Sequence, residues 1–164
     1  MLALTIEDKK KFTHELLVGD LFDRFLCCKV VLQHNVDYVI DGHYNPAFFD
    51  SEEQDSKKQQ VYATWAELKP IVFQIIKGTR LPEGFQIVLT ASRESIKKLL
   101  EQCPSTIKPH QIEGLYVNLY YKNETLTLTT GSSYTVFTMD NALDQLFKEA
   151  VIKLIRSKNI IFRD

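Results

Sequence analysis

The stretch from Leu115 to Thr130 constrains this chain more than any other. It runs Leu-Tyr-Val-Asn-Leu-Tyr-Tyr, reaches Lys122-Asn123, and returns as Glu-Thr-Leu-Thr-Leu-Thr-Thr. Both arms alternate apolar and polar residues, the period of a half-buried strand. A two-residue loop at Lys122-Asn123 is the commonest kind of hairpin connection. It pairs Tyr121 with Glu124, Leu119 with Leu126 and Val117 with Leu128. Tyr120, Asn118 and Tyr116 then face Thr125, Thr127 and Thr129 on the other side. The chain is therefore expected to build an antiparallel sheet, oily behind and polar in front. The pattern fixes an architecture and leaves the activity open.

At 164 residues the chain suits a single domain spanning 1–164. A chain of this length buries roughly two-thirds of its unfolded surface, so it needs no metal or disulfide to fold. A net charge of -1 does not favour nucleic acid as a partner. No apolar run approaches the ~20 residues of a membrane span. At the N-terminus, Glu-Asp-Lys-Lys-Lys follows a very short apolar run, the reverse of a secretory signal. The three cysteines, with Cys27 and Cys28 adjacent, have no disulfide or zinc spacing. Cytoplasm with reduced thiols is the expectation, with no cofactor and no metal.

Along the chain, Leu2 to Ile6 reads as a strand, followed by a helix from about Glu7 to Val18 with Thr5 and Asp8 as a capping box. Phe25 to Gln33 and Val36 to Ile40 read as a hairpin around His34-Asn35, closing at an Asp41-Gly42 turn. The polar run within 44–60 has the composition of a mobile loop. Thr64 and Glu67 form a capping box for a helix to about Lys77, bent or delayed by Pro70. Phe85 to Ala91 is an apolar strand with little alternation, expected to be covered on both faces. Ser92 caps a helix to Glu101; Gly131-Ser132-Ser133 turns into a strand from Tyr134 to Thr138; Asp140 caps a last helix to about Lys158. The expected class is α+β: a mostly antiparallel sheet of about six to seven strands with about four helices packed on it.

No catalytic motif stands out. Asp41 and His43 fall on one side of an extended chain, a conceivable acid–base pair, although Asp-Gly reads first as a turn. Cys27 and Cys28 lie among Phe, Leu and Val, where a small buried hydrophobe is the plainer role. Lys69, Lys77 and Arg80 gather around a helix end and suggest an anion site, or cations that merely oppose the helix dipole. Tyr116, Asn118 and Tyr120 on the polar sheet face offer stacking and hydrogen bonding to a ligand, as sheet-based nucleic-acid binders do. The same Tyr-Thr pairs also stabilise a solvated sheet with no ligand.

Five segments resemble a known family: Leu17 to Asp23, Val39 to Gly42, Trp65 to Pro70, Ile76 to Arg80, and Phe137 to Asp140. That family is an uncharacterised one from Firmicute (clostridial) bacteria, a domain of unknown function. The resemblance implies a bacterial cytoplasmic protein of one self-contained domain and assigns no substrate, cofactor or catalytic residue. The order of elements is also similar to one domain of a DNA sliding clamp, without the repeated unit or the basic inner helices, and fold likeness alone carries no function. The leading expectation is a non-enzymatic module that binds a protein or small ligand through Tyr116, Asn118 and Tyr120 or through Lys69, Lys77 and Arg80. The alternatives are an enzyme using Asp41 and His43, and a nucleic-acid binder using the cation patch. Oligomeric state is not legible.

Overall fold

The computed structural model describes residues 2–78 and 80–164. In chain order the elements are β1 (Ala3–Ile6), α1 (Lys9–Leu17), β2 (Leu26–Gln33), β3 (Asp37–Asp41), α2 (Ser51–Gln60), α3 (Trp65–Ile76) and β4 (Gly84–Thr90). There follow α4 (Arg93–Glu101), β5 (Ile112–Lys122), β6 (Thr125–Tyr134), α5 (Ala142–Ser157) and β7 (Phe162–Arg163). The seven strands form one sheet, ordered β3-β2-β4-β5-β6-β1-β7, with every neighbouring pair antiparallel. The class is α+β, as the alternating patterns imply.

Register turns the alternation into continuous rows. On the inner face, Ile40, Val30, Ile87, Leu119, Leu128 and Leu4 lie opposite one another across six strands. Beside them run Leu32, Phe85, Tyr121, Leu126 and Ile6. Most of these side chains are fully buried, and each buried one contributes roughly 1.5–3 kcal/mol relative to exposure. The roof consists of α1, α3, α4 and α5, whose Phe12, Trp65, Val72, Ile96, Phe147 and Val151 join the same core. Trp65 fixes two roof helices together: its indole N–H donates to the Leu16 carbonyl at 2.8 Å, so the largest buried ring leaves no polar atom unpaired.

Several local expectations are corrected. The hairpin turns at Asn123-Glu124, so that Lys122 pairs with Thr125 and Leu119 with Leu128. Both turn residues have positive φ, 50° and 61°, the primed turn that matches strand twist, and Asn tolerates that conformation better than Lys does. The register moves by two residues, so no side chain changes face. Asp8, not Thr5, caps α1, accepting from the Lys11 N–H. Ser51–Gln60, expected as loop, is helical: Asp50 caps it, Glu52 and Glu53 sit at its positive end, and Lys57 lies 4.5 Å over the Tyr44 ring. β4 is not covered on both faces, since Gln86 is exposed and Val88 half-buried. Gly131-Ser132-Ser133 does not turn; these residues pair with Tyr116, Leu115 and Gly114 and extend β6, while 135–141 forms a loop. Asn141, not Asp140, occupies the cap position of α5; Asp140, one residue earlier, accepts from the Ala142 N–H and from the Ser105 hydroxyl. Pro70 is accommodated inside α3 without delaying its start.

Asp41-Gly42 is not a hairpin turn either. Beyond the Lys29–Asp41 pair, β2 shifts register at Cys28 and the chain after β3 diverges from it. Ala63 fills the gap, accepting from the Cys27 N–H and donating to the Gly42 carbonyl, both at 2.8 Å. Gly42 must come so close to β2 that a Cβ on it would lie 1.7 Å from the Cys27 carbonyl oxygen. Glycine is required there by contact with backbone rather than by turn geometry. Gly42→Ala is expected to lose about 2–4 kcal/mol in equilibrium denaturation. Gly131→Ala, where an added Cβ meets nothing within 4 Å, should stay within about 0.5 kcal/mol of the parent.

Candidate functional site

The sheet's outer face is not roofed by the helices that cover its inner one. Across it run Val39, Val31, Gln86, Tyr120, Thr127 and Thr5, then Asp41, Lys29, Val88, Asn118 and Thr129. Tyr120 is half exposed. Tyr116 lies beyond the second row beside Gly131. Its ring folds over Gly114, where an added Cβ would come within 2.6 Å of it. The three expected contact residues thus share a face but occupy successive rows, spread along β5 rather than converging on one point.

The cation patch is not assembled as expected. Lys69 is largely buried and its ammonium is committed, with the Asp23 carboxylate at 2.6 and 2.8 Å and the Gly19 carbonyl at 2.6 Å. It ties α3 to the loop after α1 and is not offered to an anion. Arg80 meets the His34 ring through its own carbonyl, at 3.3 Å. Thr79, within that motif, lies outside the described residues. Lys77 lines one of the three principal grooves.

Asp41 and His43 do meet. The His43 ring nitrogen Nδ1 lies 2.5 Å from the Asp41 carboxylate, which also accepts the His43 backbone N–H at 3.0 Å. That backbone bond, together with the imidazole, holds the Asp41 carboxyl below the usual carboxylate range. Both side chains are more than half exposed, and neither lines any of the three principal grooves. The His43 ring packs on Tyr62 at 4.4 Å. Near Tyr62 sits Cys28, half-buried at the register shift. Burial pushes the Cys28 thiol up to about 11, opposed by a hydrogen bond from Tyr62, and the buried Cys27 up to about 12. A thiol attacks as its thiolate, so this corner disarms both cysteines.

The most capacious of the three grooves lies elsewhere. A groove of about 650 Å³ opens between α1 and the end of α3, above the turn of the β5–β6 hairpin. The other two grooves hold about 280 Å³ each. Its floor comes from Phe85, Tyr121 and Leu126, and its walls from Leu17, Val18, Phe73 and Ile76. Lys9, Lys10, His14 and Lys77 stand around it, with Glu124 the one acid among its lining residues. Lys10, His14 and Val18 repeat every four residues, so one stripe of α1 carries the rim and descends into the groove.

A family of sequences matches residues 15–163, described as a family of unknown function, DUF5721. The chain belongs to that family. The family resemblance read from the five segments is thereby sustained, and the match covers all of them. No curated protein and no solved structure matches the chain. The family carries no assigned chemistry, so the geometry above is the only guide to a site.

Sequence reasoning missed the groove because its lining comes from two helices, three strands and the segment after α3. One signal was present: Lys9, Lys10 and Lys11 occupy the first turn of α1, three cations beside the single Asp8 cap. The cysteine reading has a direct test. Iodoacetamide labelling at about pH 8 should modify Cys28 roughly 100-fold more slowly than a free thiol and accelerate up to about pH 11. Labelling at the free-thiol rate near neutrality would restore Cys28 as a nucleophile.

Proposed function

We propose that this protein is a non-enzymatic binding module, one domain working in a bacterial cytoplasm, that holds a small ligand in the groove between α1 and α3. The observation that carries this reading is the groove itself: about 650 Å³, walled by apolar side chains, with a few polar groups at its mouth. Ligand sites have this size and make-up, roughly 300–1,000 Å³ with sparse polar groups that orient the occupant. The three cysteines are free, in keeping with a reducing compartment. No helix of the described residues is long and apolar enough to cross a membrane.

A small ligand is favoured over a protein at the open sheet face because that face supplies a polar ladder without a pocket. The Asp41–His43 pair and the Lys69–Arg80 patch gain no support from their surroundings, the first exposed and the second divided by the Lys69–Asp23 bond.

Amide chemical-shift mapping with a set of small aliphatic and aromatic fragments tests the reading. Saturable shifts are expected to cluster in 9–18, 73–78 and 121–126. Shifts confined to the outward positions of β5 and β6 would move the contact to the open face; no saturable cluster anywhere would overturn the groove.

A further inference from the structure

Charge around the groove narrows what it holds, given the binding role proposed above. α1 starts with Lys9, Lys10 and Lys11, directly after the Asp8 carboxylate that caps it. Three cations follow that single capping carboxylate, so positive charge outnumbers negative at this end of the helix. The opposite preference is met in α2 and α4, which start with Glu52, Glu53 and Glu94. Lys11 is turned aside to the Asn159 carbonyl. Lys9 is pinned to the Glu124 carbonyl at 2.5 Å, which holds its charge at the groove's mouth. Among the described residues neither Lys9, Lys10 nor Lys77 has a carboxylate at ion-pair distance, whereas Lys69, Lys98 and Lys158 each do. An anion at the mouth would face Lys9, Lys10 and Lys77 together.

We propose that the groove binds an aliphatic monocarboxylate, its head between Lys10 and Lys77 and its chain over Leu17, Phe73, Phe85 and Leu126. The apolar floor requires a tail, since a bare anion would leave that surface wet. A single negative charge suits the rim better than a phosphate dianion. Among the described residues no arginine fork lines the groove, such a fork being the favoured geometry for bidentate phosphate contacts, and Glu124 stands on the same rim.

Calorimetric titration of the full chain compares decanoate, decyltrimethylammonium and decyl phosphate, all below their micelle-forming concentrations, with acetate as the head alone. Decanoate is expected to bind roughly tenfold more tightly than the cation with the same tail, and acetate not measurably. Lys10→Glu combined with Lys77→Glu changes two exposed residues and should invert that preference while leaving the far-ultraviolet circular dichroism unchanged. Equal binding of decanoate and the cation would overturn the carboxylate assignment and leave the groove as a binding site. Tighter binding of decyl phosphate, or acetate binding as well as decanoate, would overturn it in the same way. Failure of every tailed probe would overturn the groove reading along with it.

Discussion

The structure depends on a row of apolar side chains running across the inner face of one antiparallel sheet. Ile40, Val30, Ile87, Leu119, Leu128 and Leu4 come from six strands that are far apart in sequence. Because strand side chains alternate, placing this row inside fixes the outward position of every neighbour. The inner face must then be roofed, and amphipathic helices supply the roof. The outer face must tolerate water, and Thr, Tyr and Asn supply that. Short edges complete the arrangement: β7 is two residues long and β3 five, which leaves little open ladder for other chains to join.

The groove is a product of how the roof is fastened. α1 and α3 are joined near the end of α1 and the start of α3. The Trp65 indole bonds the Leu16 carbonyl, and Lys69 bonds both Gly19 and Asp23. Among the described residues the far end of the pair has no comparable tie, and there α3 gives Phe73 and Ile76 to the walls. Apolar floor is exposed where the helices are not drawn together. Lys69, read from sequence as an anion ligand, instead belongs to the clamp that leaves the opposite end open.

Face assignments in the β5–β6 hairpin were legible because the period of two survives a two-residue error in register. The helix caps at Thr64 and Ser92 were legible for a similar reason: they are local, and the bonds they accept from the Glu67 and Ser95 N–H groups need nothing distant. What failed depended on partners that sequence does not place. Gly131-Ser132-Ser133 has turn composition, yet β5 begins early enough to pair with it. Ser51–Gln60 has loop composition, yet its cap and charge order support a helix. Gly42 was legible as necessary, but for the wrong reason, because the Cys27 carbonyl it approaches lies across the register shift. Lys69 and Asp23 are 46 positions apart, so no local pattern announced their pairing.

Adjacent residues of β5 test the account most directly. Leu119 is fully buried in the central row, and Tyr120 beside it points to solvent, 48% exposed. In urea denaturation Leu119→Ser should lower stability by about 3–5 kcal/mol and Tyr120→Ser by about 1 kcal/mol or less. Similar losses for the two, or a larger loss at Tyr120, would mean that the sheet has no single inner face, and the roof and groove described here would fall with it.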